Sequence, residues 1–196
     1  MADIILLDGG TGQELVARSA EPPSPLWSAA VLEREPGLVE AVHRDFVAAG
    51  ARVVTLNAYS ATPERLARHM AAGEVAARFE ALQREAVRVA RAAASGAPHP
   101  VVIAGCLPPL GGSYHPEAGP GFEASLATYG RIVALQREAC GVMLAETMAS
   151  VGEARAATRA IVAAGLPAWT ALTVDDADGT RLRSGEALAA GVEAAA

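Results

Sequence analysis

Ile4-Ile5-Leu6-Leu7-Asp8-Gly9-Gly10-Thr11-Gly12-Gln13-Glu14-Leu15 passes from four aliphatic residues straight into a carboxylate and a cluster of small residues. An apolar run ending in Asp reads as a buried strand that delivers a carboxylate to one edge of a sheet. The glycines behind it let the chain turn sharply and let a ligand come close to the backbone. Barrels and open α/β sheets both place their chemistry at such strand ends. Taken by itself, Asp8 can equally cap the helix that follows. The GGTG spacing is not that of a dinucleotide loop, and the next strand ends Val54-Thr55-Leu56-Asn57-Ala58-Tyr59 without an acid to hold a ribose.

Working outward, short apolar runs at residues 3–8, 51–56, 100–104, 142–145 and 168–174 alternate with helical stretches. Strands apolar on both faces are those of a parallel sheet covered by helices. Residues 38–49 place Val39, Val42, Phe46 and Val47 on one helical face, with Gly50 to end it. Thr62-Pro63-Glu64 starts another helix, 74–94 and 122–139 form two long ones, and Ser150-Val151-Gly152-Glu153 is a capping box. Residues 184–195 begin one more. The Gly/Pro-rich stretch 107–121 is a loop within the domain, so residues 1–196 form one domain. Five β–α units fit either an open doubly wound sheet or part of a (β/α)8 barrel, which typically needs about 250 residues. Composition favours the open sheet.

The chain of 196 residues carries a formal charge of −6, and its arginines alternate with glutamates at helical spacing, which argues against a nucleic-acid surface. Cys106 and Cys140 lie in separate elements with no CxxC pair, so a reduced setting fits. No apolar run is long enough to span a bilayer and no signal-peptide pattern opens the chain; the expectation is a soluble, cytoplasmic protein without a membrane partner.

Two further strand ends matter. Thr55 and Asn57 place a hydroxyl and an amide where Asp8 sits if all face one rim. Leu144-Ala145-Glu146-Thr147-Met148 puts an acid directly after an apolar strand, where burial without a partner is costly. Cys106 reads as a buried structural thiol, His43 as a surface or packing residue, and His115 as solvent-facing.

In order along the chain, DGGTGQEL, PLWSA, VHRDFVAAGARVVTLNAY, AGCLPPLGGSY and AETMASVGEA resemble the homocysteine S-methyltransferase family. That family includes the betaine– and S-methylmethionine–homocysteine enzymes and the first barrel of cobalamin-dependent methionine synthase. The resemblance implies a (β/α)8 TIM-barrel type fold, of which this chain holds about the first five β–α units. It also implies transfer of a methyl group from a small donor to the homocysteine thiol, forming methionine. Carried over by position, Asp8 and Glu146 would hold the substrate's α-ammonium, and Gly9 and Thr55 would contact the amino-acid end. The family's zinc, held by cysteines of an Asn-Cys and a Gly-Gly-Cys-Cys motif, has no ligands here, since neither motif is present. The expectation is therefore a substrate cradle without its activating metal, inactive alone. Its rivals are a non-catalytic amino-acid-binding or assembly fragment needing a partner for the missing strands, and a small α/β enzyme using Asp8 and Glu146 as acid and base. Exposed sheet edges at 4–7 and 168–174 would favour self-association as a homo-oligomer, a covering segment or poor solubility.

Overall fold

Four parallel strands in the order β1-β2-β3-β4 set the frame: β1 Val53–Thr55, β2 Val102–Leu107, β3 Val142–Met148 and β4 Ala168–Leu172. The computed structural model describes residues 4–20, 22 and 24–196. Strands that follow one another in both sequence and space, joined by right-handed crossovers, must carry their helices on one face. The helices are α1 Thr11–Arg18, α2 Ser28–Arg34, α3 Pro36–Ala48, α4 Pro63–Leu66, α5 Ala72–Ser95, α6 Phe122–Gln136, α7 Val151–Ala163 and α8 Leu188–Ala195. Of these, α3, α5, α6, α7 and α8 pack on the strands.

The helices form where apolar residues recur at helical spacing. In α5 the buried set is Phe79, Leu82, Gln83, Ala86, Val89, Ala90 and Ala93. Thr62 caps α4 by accepting from the Arg65 amide at 3.2 Å. Ser150 caps α7 through the Glu153 amide at 3.2 Å, while the Glu153 carboxylate reaches back to the Ala149 amide at 3.0 Å. Gly50 and Gly165, at φ 105° and 74°, end α3 and α7 in the left-handed region that a Cβ disfavours.

The predicted first strand is the main correction. It begins at Asp3, outside the described residues. Of the rest, only Leu7 forms a bridge, to Val53, with Arg52 N–H donating to Leu6 O and Asp8 N–H to Val53 O. Paired on one side only with a three-residue strand, the segment cannot sustain a ladder, and Ile4 is 93% exposed. The sheet is therefore four-stranded, with a fifth segment attached at its β1 edge. The last predicted strand also ends sooner, at Leu172, and the helix expected from 184 begins at Leu188. Between them, bridges Val174–Leu182 and Arg181–Ala187 form a small antiparallel hairpin.

The core lies between sheet and helices, around Phe79, Tyr129, Met143, Met148 and Ile161. His43, read as a surface or packing histidine, is fully buried in that layer on α3. On the opposite sheet face, Val53, Ala104 and Val142 form a small separate cluster, and Val102 and Trp169 remain partly exposed.

Candidate active-site cleft

Parallel strands present all their C-terminal ends on one side, and there the structure has a cleft of about 400 Å³. Asp8, Gly9, Thr55 and Glu146 all line it, together with Trp27, Asn57, Tyr59, Ser113, Tyr114 and Thr147. Cys106 lies beside it, buried at the end of β2.

Asp8 does not cap α1, whose N-terminus has no side-chain cap. Its carboxylate instead turns to β1 and accepts from the Thr55 amide at 2.7 Å and the Thr55 hydroxyl at 3.1 Å. Burial nevertheless raises its pKa above the ordinary Asp value, with the Thr55 bonds opposing the rise. Glu146 is raised too, by burial first, and the nearby Asp8 charge adds to this, while a hydrogen bond from the Cys106 thiol works against it. Burial also pushes the Cys106 thiol well up, and the Glu146 charge pushes it further, so the sulfur is held as a neutral donor. Two partly desolvated carboxylates thus share one cleft, each penalising the other's charge.

Backbone strain gathers at the same place. Among the described residues, the non-glycine residues with positive φ are Trp27 (48°), Tyr114 (66°) and Thr147 (59°), and all three line the cleft. Thr147 is β-branched, so the cost there is the highest of the three. It coincides with the register shift between Ala145 and Met148, a bulge that breaks strand alternation and lets Glu146 and Thr147, neighbours in sequence, line one cleft. Gly12 is needed nearby because a Cβ there would sit 2.8 Å from Cη2 of the Trp27 ring.

A buried amide chain supports the rim. Gln136 Oε1 accepts from the Cys106 amide at 2.8 Å, its Nε2 donates to Gln83 Oε1 at 2.7 Å, and Gln83 Nε2 donates to Ala61 O at 2.7 Å. These bonds tie the end of β2 to the segment after β1. Tyr59 Oη lies 2.8 Å from Ser113 Oγ, joining the loops that follow β1 and β2. The sequence had marked Gly/Pro-rich 107–121 only as a loop, and nothing in it signalled the bulge at Thr147 or the Tyr59–Ser113 bond.

The sequence model of the homocysteine S-methyltransferase family matches residues 5–196, nearly the whole chain. The chain belongs to the homocysteine S-methyltransferase family. It is 34% identical to the Escherichia coli (strain K12) homocysteine S-methyltransferase over 96% of this chain and 66% of that protein, somewhat under two thirds of the relative's length. Homocysteine S-methyltransferase 1 of Zea mays is 40% identical over 45% of this chain and 26% of its own. Among solved structures, the metallated form of the homocysteine methyltransferase MmuM from Escherichia coli superposes with a TM-score of 0.83 at 30% identity, covering 98% of this chain and 70% of that one.

The donor set here does not fit the metal expected for the family. Among the described residues no group of three or more His, Cys, Asp and Glu could hold an ion. Cys106 and Cys140 are both buried with raised thiol pKa values, Cys140 to about 12, the opposite of what a metal thiolate needs. Exposed His115 pairs with Glu117 at 3.0 Å, and no helix among the described residues is long and apolar enough to cross a membrane.

Proposed function

We propose that this chain forms the homocysteine-binding part of a (β/α)8 barrel S-methyltransferase. The reaction passes a methyl group from a small donor to the homocysteine sulfur: the donor's bond to carbon breaks, the S–CH3 bond forms, and the thiol proton is lost, leaving methionine. The observation that carries the reading is the pair of partly buried carboxylates, Asp8 and Glu146, in one cleft of a chain belonging to this family. An α-ammonium group between them relieves the charge that each imposes on the other and supplies charge-assisted hydrogen bonds.

In this reading Thr55 fixes the Asp8 carboxylate before the ligand arrives, so little orientation is lost on binding. The Cys106 thiol performs the same service for Glu146. Gly9 would contact the amino-acid end of the substrate from the cleft wall, while its missing Cβ makes room for the Phe46 ring, whose Cε1 is 2.8 Å from where that Cβ would sit. A free thiol has a pKa of about 8.5 and is mostly protonated at neutral pH, so transfer requires activation. The family's zinc would supply it, and the described residues do not fit one.

The test is calorimetric titration of the reduced chain with L-homocysteine, run beside L-homoserine. We expect saturable binding that Asp8→Asn or Glu146→Gln weakens. No binding by a well-folded wild-type chain would remove the reading. A second reading, an assembly unit that binds the amino acid only with further strands in place, is favoured by the uncovered sheet face carrying Val102 and Trp169.

A further inference from the structure

The loops after β2 and β4 touch across the end of the strand between them. Tyr114, in the loop after β2, lies under the guanidinium of Arg183, whose Cζ is 4.6 Å from the ring centroid. Arg183 belongs to the hairpin that follows β4. Since β3 separates β2 from β4 in the sheet, this contact bridges the end of β3, where Glu146 and Thr147 line the cleft.

The two partners are anchored differently. The Arg183 backbone is pinned to the sheet: its amide donates to Thr173 O at 3.1 Å, the Ser184 amide donates to Ala149 O at 3.0 Å, and the Thr173 amide donates to Met148 O at 2.8 Å. Its guanidinium pairs with Asp176 at 2.6 Å, while its Nε is buried without a hydrogen-bond partner. Asp176 is 83% exposed, so that pair is heavily screened and does not explain why the Arg183 head lies inward. Tyr114, by contrast, stands in a long loop with φ 66° and lines the cleft while half exposed. Among the described residues, Tyr59 Oη to Ser113 Oγ and Arg68 Nη2 to Gly111 O at 3.0 Å tie its neighbours towards the β1 side, and Tyr129 Oη to Pro108 O at 3.0 Å ties the start of the loop to α6. On the β4 side the Arg183 stack is its tie.

We propose that Arg183 is a positioning residue of the cleft, which through its stack on Tyr114 latches the loop after β2 to the hairpin after β4 and holds Tyr114 over the carboxylate site. The proposal rests on the homocysteine-binding reading for what the site receives, but the latch itself can be measured without a ligand. A guanidinium held on a tyrosine face at a partly exposed site is worth enough to change loop opening about fivefold.

The experiment follows amide hydrogen exchange in residues 108–121 of the full chain, and L-homocysteine affinity in parallel. Arg183→Gln should speed exchange in that segment about fivefold, without change in the α5 or α7 segments, and weaken homocysteine by a similar factor. Arg183→Lys, which keeps a cation for the ring, should fall between the two. Tyr114→Leu should match Arg183→Gln, and the double variant should be no worse than the worse single one, because both remove one contact. It also stands in for Arg183→Gln should that variant misfold. Unchanged exchange in 108–121, or effects of the two single variants that add, overturn the latch. A wild-type chain that binds no homocysteine overturns the functional reading alone, since the exchange result stands apart from it.

Discussion

Among the described residues, the two larger open hollows are almost equal in size and opposite in chemistry. The cleft at the C-terminal strand ends measures about 400 Å³, and a second hollow of about 410 Å³ is lined by Ile5, Arg52, Val53, Pro100, Val102, Gly141, Val142, Pro167 and Trp169. The first gathers Asp8, Glu146, Thr55 and Tyr59, and every described non-glycine residue of positive φ. The second is aliphatic and aromatic with a single arginine, and its backbone carries no such strain. Volume does not separate a site from an uncovered apolar surface; desolvated charge and backbone strain do. The second hollow lies on the sheet face that has no helices, and its lining is what a sheet would turn towards further strands or a second copy.

The largest expected effect tests that separation directly. Replacing one charged acceptor that faces a cationic ligand should cost about 1.5–3 kcal/mol, tenfold or more in L-homocysteine affinity for Asp8→Asn or Glu146→Gln. Both together should abolish measurable binding, whereas Val102→Ala in the apolar hollow should leave it unchanged. Equal losses from the two hollows, read by titration calorimetry, would break the comparison.

An effect of similar size, on stability instead of binding, is a pH dependence that belongs to neither hollow. His43 is fully buried with both ring nitrogens unpartnered, and burial lowers its pKa from 6.5 to about 4. The folded state thus favours the neutral ring. Its contribution is complete above the unfolded value and is lost as pH falls from 6.5 towards 4, about 3 kcal/mol over the window. The raised carboxyls of Asp8, Glu146 and Glu153 act with the opposite sign, since their contribution is present at low pH and lost as pH rises through their folded values. The difference between wild type and His43→Leu isolates the histidine. Urea unfolding at pH 7 and pH 4 should show the variant losing about 3 kcal/mol less stability than wild type. Equal losses would mean that the ring is solvated or paired.

A smaller effect concerns strain. Asn tolerates the left-handed region far better than a β-branched residue, so Thr147→Asn should stabilise the fold by about 1 kcal/mol. The expected thermal shift is a few degrees upward. If melting falls instead, the Thr147 side chain holds the bulge together and strain is not what marks the polar cleft.

How much of this could be read from the chain depends on what each feature rests on. The strands β1 to β4, the long helices and the caps at Thr62 and Ser150 follow from local pattern and short-range hydrogen bonding, and they stand near where the sequence puts them. The gathering of Asp8, Thr55 and Glu146 at one rim follows from parallel topology, because each ends or follows an apolar run. Ile4–Leu7 has strand composition, but a strand needs a neighbour long enough to pair with, and that is not a local property. His43 was undecided for the same reason, since the residue that shares its helical face does not say what packs there. The Thr147 bulge and the Arg183–Tyr114 stack depend on loops meeting in space, and no spacing in the sequence encodes either.

The smallest effect on the folded monomer belongs to the apolar hollow. Trp169 is 39% exposed and Val102 42% exposed, on the sheet face without helices, and Ile5 extends the same apolar surface at the β1 edge. Exposed sheet edges and contiguous apolar patches draw further chains. Light scattering across a concentration series should therefore show wild-type self-association. Trp169→Lys should reduce it by placing a charge on the face, while changing monomer stability by no more than about 0.5 kcal/mol, as surface substitutions usually do. Its homocysteine affinity should match wild type, because Trp169 does not line the polar cleft. A wild-type chain that stays monomeric at every concentration would show that this hollow is not a docking face. A Trp169→Lys variant that lost homocysteine binding while keeping its melting temperature would show that the two hollows act as one.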